Sequence, residues 1–434
     1  MKMEEKVMKS FEKIIGYESV KKELYQIIDM FKNREMYERM DAKLPKGVLI
    51  YGNPGMGKTM LANALIEECN VKSFVIKKNK DDKEILDEIS KTFAAAAKEE
   101  NAIILFDDLD KFSESDGKNV DDKIFIAVQA GIDSVKDNNV LVIATANNIR
   151  KLPDSLIRNG RFDVKIYLNR PTSKDAQEII KHYLKNKKVN PNLNLDDVSK
   201  MISYTSCVAL ETILNESAII ATYQRKEKID IDDIVKAYLK DQYNSPDEDH
   251  KCNDDLVKET ALHEAGHATI AEVLKEGSVG FISVNTSYGN NMAGFTHLCD
   301  QFMRRPEVVL VALGGKAAVE LYHEGKCGSG CQEDLKKAAS ILRDGITDSG
   351  TCGLGMIDVG INGLIPVSES LNKRQEAVVV AELERLMFIT KDILIKNKDL
   401  LMGITNKLKE KHILLHSDIK EIRKSVKVTE AGRL

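Results

Sequence analysis

The stretch Gly52-Asn53-Pro54-Gly55-Met56-Gly57-Lys58-Thr59 limits what this chain can fold into more than any other feature. It has the spacing G-x-x-x-x-G-K-[ST], follows the apolar run Val48 to Tyr51 and precedes a segment of helical periodicity, Thr59 to Cys69. A strand, a glycine-rich turn and a helix in that order gather backbone N–H groups and a helix N-terminus around one point, which suits a phosphate. Lys58 is then expected at the β- and γ-phosphates of ATP, with the Thr59 hydroxyl on Mg²⁺. A turn that binds nothing would not need the Lys-Thr pair.

Up to about Arg170 short apolar runs alternate with helical stretches, the pattern of a parallel sheet covered by helices. Phe74 to Ile76, Ile103 to Phe106, Val140 to Ile143 and Val164 to Leu168 read as further strands. The run Ile103 to Phe106 ends in Asp107-Asp108, which brings carboxylates to the C-terminal edge of the sheet. Beside a phosphate loop, Asp107 is expected to hold Mg²⁺ through water and Asp108 to polarise an attacking water. From Ser173 to about Tyr243 the pattern is wholly helical. The polar, charged stretch Asn244 to Asp255 reads as a linker. The expected division is residues 1–170 (α/β), 171–243 (small helical domain), 244–255 (linker) and 256–434 (mostly helical). The last part also carries a hairpin candidate over Phe281 to Leu298, turning at Tyr288 to Asn291.

Composition excludes some functions. The 434 residues hold 64 basic and 68 acidic side chains, a net charge of −4, so no surplus of cations points to nucleic acid. The N-terminus has no apolar core of a signal peptide, and no run reaches the roughly 18 apolar residues of a spanning helix. Seven cysteines, an odd number in a long chain, suggest free thiols in a reducing, cytoplasmic setting.

A second constellation lies in the last part. His263-Glu264-Ala265-Gly266-His267 is H-E-x-x-H within Leu256 to Lys275, a segment of helical periodicity. Spacing of i, i+4 places both imidazoles on one helix face, able to bind one Zn²⁺, with Glu264 as general base toward the attacking water. Zinc would activate that water and polarise a scissile carbonyl, and the glutamate would pass the proton to the leaving amine. Spacing does not choose the third ligand: His182, His250, His297, His323, His412, His416 and many carboxylates remain open.

Together these residues resemble the FtsH family, a AAA+ ATPase followed by a zinc metallopeptidase, over nearly the whole chain. Phe11 to Gly16 and Leu44 to Val48 resemble the entry to the ATPase domain, and Thr260-Ala261-Leu262 before the H-E-x-x-H is similar to the family signature. So is Val311 to Glu320. The resemblance implies a multidomain fold: a P-loop AAA+ parallel-sheet domain, a small helical lid domain and a mostly α-helical zinc metallopeptidase domain. Ala144-Thr145-Ala146-Asn147 resembles the sensor-1 strand and implies that Asn147 senses the γ-phosphate or water. Leu156 to Asp163 resembles the second region of homology, which makes Arg158 and Arg161 arginine fingers acting on a neighbouring subunit's ATP and implies a homohexameric ring. Asn215 to Ala218 resembles the lid helix. Gly330 to Ala338 resembles the helix that supplies an aspartate to zinc, which selects Asp334.

The implied activity is ATP-dependent cleavage of unfolded or loosely folded polypeptides, with Zn²⁺, ATP and Mg²⁺ as cofactors. Three departures from the family pattern qualify it. The chain begins almost at the ATPase domain, so a soluble form, or one reaching membranes through a partner, is expected. Asp107-Asp108 stands where Asp-Glu is usual, and the shorter Asp108 implies slower hydrolysis. Lys77 to Lys83 shows no aromatic grip for threading a substrate. A remodelling ATPase, or a metalloprotease with weak ATP turnover, is the alternative. Cys327 and Cys331 before Asp334, and Cys352 after it, are not read as ligands, because C-x-x-x-C alone is a weak metal signal.

Overall fold

Ile103 and Leu105 pack into one apolar cluster and Ile104 and Phe106 into another, so a single run of six apolar and acidic residues serves both faces of a sheet. That is the pattern of a parallel strand covered by helices on both sides, where alternation gives way to a continuous apolar run. The structure is a computed structural model that describes residues 10–113, 121–243, 254–284, 294–300, 302, 304–323, 331–349 and 369–432. The hairpin turn at Tyr288 to Asn291, most of the expected linker, and Cys327, Gly330 and Cys352 lie outside the described residues. Two compact units are present: Met1–Lys185 with Tyr204–Glu211, and Asn186–Ser203 with Thr212–Leu434.

In chain order the first unit contains α1 (Glu18–Lys32), α2 (Arg34–Glu38), β1 (Gly47–Gly52), α3 (Lys58–Cys69), β2 (Lys72–Lys77) and α4 (Asp82–Ala96). It continues with β3 (Ala102–Asp107), α5 (Asp121–Ser134), β4 (Val140–Ala146), β5 (Val164–Leu168) and α6 (Ser173–Leu184). The sheet order is β2-β3-β4-β1-β5, all parallel. One apolar layer joins Val48, Ile50, Ile103 and Ile143 to residues of α1 and α3. The other joins Leu49, Ile104, Phe106 and Val142 to α4 and α5. Because β4 lies between β3 and β1, the turn after β1 and the acidic end of β3 meet at one edge of the sheet. Ligands of open parallel sheets sit at such strand ends. Local signals agree with these elements: Asp81 caps α4 by accepting from Glu84 N at 2.9 Å, and Thr172 and Asp175 form a capping box on α6.

The second unit contains α7 (Leu195–Met201), most of α8 (Cys207–Tyr223), whose first residues belong to the other unit, and α9 (Ile231–Tyr243). Then come α10 (Asp254–Leu274), β6 (Val279–Ser283), β7 (Phe295–Leu298), α11 (Arg305–Tyr322), α12 (Gln332–Ser349), α13 (Glu369–Lys396), α14 (Lys398–Lys411), β8 (Ile413–Leu415) and α15 (His416–Ser425). α10 is buried on nearly all sides by α11, α13 and α14, in a core that includes Ala261, Ala268, Leu310, Leu313 and Leu401. The expected hairpin is present as β6 and β7, antiparallel. A third strand, β8, pairs with the other edge of β6. The segment Leu408 to His412 ends α14 with Leu408 fully buried, residues 410–412 exposed and His412 as its left-handed cap. Among the described residues no helix is long and apolar enough to cross a membrane.

Candidate active sites

In the first unit the phosphate loop closes on its own lysine. Gly52, Gly55 and Gly57 all have positive φ, and a Cβ at Gly52 would come within 2.4 Å of the Leu168 carbonyl oxygen. Only glycine makes that turn at that distance from β5. The buried Lys58 Nζ donates to Gly52 O and Asn53 O, both at 2.9 Å, and to Asn147 Oδ1 at 2.7 Å. Burial pushes this ammonium below the usual lysine range, against the pull of Asp108, Asp110 and Asp107.

Asp107 is the hub. Its Oδ1 accepts from the hydroxyls of Thr59 and Thr145, each at 2.8 Å. Its Oδ2 lies 3.0 Å from Lys77 Nζ. Burial alone would raise the carboxyl, but the bonds from Lys77, Thr145 and Thr59 outweigh it and hold Asp107 below the ordinary carboxylate range. Asp108 takes a left-handed φ of 56°. Its N–H donates to Thr145 Oγ1 at 2.8 Å, and its carboxylate lies 2.7 Å from Lys111 Nζ and 3.4 Å from Asn147 Nδ2. Asp110 accepts from the backbone N–H groups of Asn147 and Asn148, tying β4's exit to the end of β3. The structure therefore brings Lys58, Thr59, Asp107, Asp108 and Asn147 together, while Asn53, Pro54 and Asn147 line an open cavity of about 670 Å³.

The two arginines differ. Arg158 is exposed. Arg161 donates to Asp133, to Gln129 Oε1 at 2.9 Å and to the Ser155 carbonyl at 2.5 Å, with only 11% of its side chain exposed.

The second site grows from the crossing of α10 and α11. A Cβ on Gly266 would stand 2.3 Å from Gly314 O, and one on Gly314 would stand 2.7 Å from Gly266 O. A Cβ on Gly315 would strike the His263 ring at 2.5 Å. Glycines at these three places let the helix backbones touch and leave room for the imidazole. His267 Nδ1 then reaches the Val311 carbonyl at 2.6 Å, which turns its Nε2 the other way.

On that side three donors converge. Asp334, from the first turn of α12, places Oδ2 3.1 Å from His263 Nε2 and 3.3 Å from His267 Nε2. The two Nε2 atoms are 3.0 Å apart. All three ligand atoms lie within 4.8 Å of one another. Two imidazoles and a carboxylate around one point are the donor set of a catalytic zinc site that keeps a position open. Burial acts against charge on both partners, yet the bonds to His263 and His267 hold Asp334 well below the usual carboxylate range. Burial likewise lowers His267, but Asp334 and Glu264 raise it to about 8. Such mutual stabilisation is what a cation between the groups would replace.

Glu264, between the histidines in sequence, is 5% exposed and accepts from the Thr296 hydroxyl of β7 at 2.8 Å. It is thus an oriented carboxylate beside the donor cluster, suited to proton transfer.

Several residues here were not singled out from the sequence. Thr145 stands inside the apolar run of β4, where a lone hydroxyl is a usable signal. Thr296 carries no local mark, and Val311 and Lys77 are marked only as ends of longer segments: each acts through a partner far away in the chain.

Two family models match the chain. Residues 48–170 match the family model described as ATPase family associated with various cellular activities (AAA), and residues 250–422 match peptidase family M41. Among curated relatives, a protein of Sulfurovum sp. named ATP-dependent zinc metalloprotease FtsH is 31% identical over 83% of this chain and 56% of its own length. One of the same name from Mycoplasmoides gallisepticum is 27% identical over 97% of this chain and 58% of its own. ATP-dependent zinc metalloprotease FtsH 2 of Thermoanaerobacter sp. is 27% identical over 95% of this chain and 82% of its own. The chain spans less than two thirds of the length of the Sulfurovum and Mycoplasmoides relatives.

Proposed function

The chain belongs to the FtsH family, which joins a AAA ATPase to an M41 peptidase, and from that premise we propose that it is an ATP-dependent zinc metalloprotease degrading unfolded or loosely folded polypeptides. The observation that carries the peptidase half is the convergence of His263 Nε2, His267 Nε2 and an Asp334 oxygen beside the buried carboxylate of Glu264. A zinc ion held by those three atoms would supply Lewis acidity toward the scissile carbonyl and the attacking water. Glu264 takes a proton from the water as its oxygen bonds to the carbonyl carbon. It returns that proton to the amide nitrogen as the C–N bond breaks. Thr296 holds one oxygen of Glu264, leaving the other for this transfer.

In the ATPase half, the loop Gly52 to Thr59 would cradle the phosphates of ATP, Lys58 would neutralise the β- and γ-phosphates, and Thr59 with Asp107 would hold Mg²⁺. Asp108 and Asn147 place the hydrolytic water. Arg158, exposed, acts as a finger on the ATP of a neighbouring subunit in a homohexameric ring. Arg161 could do so only after leaving Asp133, Gln129 and Ser155. Seven cysteines, an odd number, support a cytoplasmic setting.

Two substitutions on one preparation test the proposal. Glu264→Gln should lower cleavage of a casein-like substrate by about 10²–10⁴-fold while ATP hydrolysis continues. Lys58→Ala should abolish ATP hydrolysis and, with it, degradation. Cleavage by Glu264→Gln at the wild-type rate would overturn the peptidase assignment. Nucleotide binding with hardly any turnover in the wild type would leave a peptidase that uses ATP for assembly.

A further inference from the structure

We propose that Cys331 is a positioning residue for the zinc site: its sulfur accepts the Nδ1–H of His263 and so aims the opposite ring nitrogen at the metal. This role presupposes the zinc site proposed above and adds a member that neither the H-E-x-x-H pattern nor Asp334 requires.

A histidine that ligates a metal through Nε2 carries its proton on Nδ1, and the partner of that N–H sets both tautomer and ring orientation. The two histidines meet this need differently. His267 uses a backbone carbonyl, with Nδ1 2.6 Å from Val311 O. A carbonyl oxygen only accepts, so a proton is on Nδ1, and Nε2 is the nitrogen turned toward the donor cluster and left for a metal. His263 has the same orientation, with Nε2 3.1 Å from Asp334 Oδ2 and 3.0 Å from His267 Nε2. Behind its ring, Nδ1 lies 3.8 Å from Cys331 Sγ, within reach of an N–H···S hydrogen bond.

Geometry rules out the other role a cysteine here could take. As a zinc ligand, Cys331 would have to share the point on which the Nε2 atoms and Asp334 converge. Its sulfur instead faces the far side of the His263 ring, and the converging donor group is His263, His267 and Asp334 without it. The sulfur is also well placed to hold rather than merely fill. Cys331 is 7% exposed and directly precedes α12, whose Asp334 follows three residues later. One turn of chain therefore sets both a ligand and the partner of another ligand. The ring also lies against Gly315 of α11, where a Cβ would come within 2.6 Å of both Nδ1 and Nε2. Contact with α11 and with the sulfur limits how the imidazole can turn. A thiol is a weak acceptor, so it orients the ring while adding less basicity than a carboxylate would.

The test is zinc affinity of the full chain, measured by competition with a chromophoric chelator and therefore independent of peptidase activity. Cys331→Ala should weaken zinc by about 10- to 100-fold. Cys331→Ser, which keeps an acceptor at that place, should recover most of the affinity. In the cobalt-substituted chain the visible d–d band should move in Cys331→Ala and return in Cys331→Ser. Thermal unfolding of the metal-free variants should match the wild type, which separates a positioning role from a structural one. Wild-type affinity in Cys331→Ala overturns the proposal. So does Cys331→Ser binding as weakly as Cys331→Ala, which would make the contact one of packing alone. A wild-type chain that takes up no zinc overturns the site itself, and the Cys331 role with it.

Discussion

Lys77 and Asp107 stand opposite each other in neighbouring strands, and the ammonium lies on the carboxylate oxygen that Thr59 and Thr145 leave to it. A Mg²⁺ approaching that carboxylate has to compete with this cation. The lysine is more than half exposed, so the pair is worth no more than about 1 kcal/mol, or roughly fivefold in an equilibrium constant. Lys77→Ser should therefore lower the Mg²⁺ concentration for half-maximal ATPase by up to about fivefold. A Mg²⁺ titration showing no change would make the ion pair irrelevant to the metal. The zinc site makes a prediction about pH. The metal-free His267 is raised from 6.5 to about 8 by Asp334 and Glu264, against the effect of burial. Its pairing stabilises the metal-free fold below pH 6.5, and that contribution is lost as pH rises through about 8. Zinc needs the neutral ring, so its affinity should fall about tenfold per pH unit below about 8 and level off above. Urea unfolding of the metal-free chain and zinc competition, each run from pH 6 to 9, check the two slopes. At this scale the candidate site residues with a fixed spacing are legible in the sequence: Lys58, Thr59, Glu264 and both histidines. Thr296, Val311 and Cys331 are not, since nothing in their neighbours' identities says which distant group they meet.

The element that most determines the peptidase site is the pair α10 and α11. α10 was readable as a helix, and its two histidines as one face of it. Why the helix should carry Gly266, and why α11 should carry Gly314-Gly315, was not readable. The reason is backbone contact between the helices and the space the His263 ring takes. Gly314→Ala should force the helices apart, at a cost of about 1–3 kcal/mol. A lower urea midpoint and a loss of zinc occupancy together would show it; a loss of neither would mean the crossing relaxes freely. Gly315→Ala should spare the fold more and zinc less, because its Cβ meets a ligand side chain rather than backbone. Strand β8 shows the opposite limit of sequence reading. Three residues between two helices carry no strand signal. They are a strand because β6 offers an open edge beside them.

For the whole molecule, the proposed action of the exposed Arg158 on a neighbouring subunit's ATP would make the ATPase a property of an assembly rather than of one chain. Arg158→Ala should leave nucleotide binding intact and lower turnover by on the order of 10³-fold. Mixing it with Lys58→Ala subunits should restore part of the activity, since one variant keeps the finger and the other keeps the phosphate loop. No recovery in mixed preparations would place the arginine's action within its own subunit. The sequence by itself determined that there are two chemistries and where each is centred. The phosphate loop and the H-E-x-x-H helix are local motifs, whose spacing along a strand–turn–helix or a single helix already sets their geometry. Tertiary structure decided what completes them: Lys77 and Thr145 on Asp107, Asp334 and Cys331 around His263, Thr296 on Glu264. Those partners come from strands and helices far apart in the chain. Only sheet register and helix crossing, set by how the apolar faces pack, bring them within hydrogen-bonding distance.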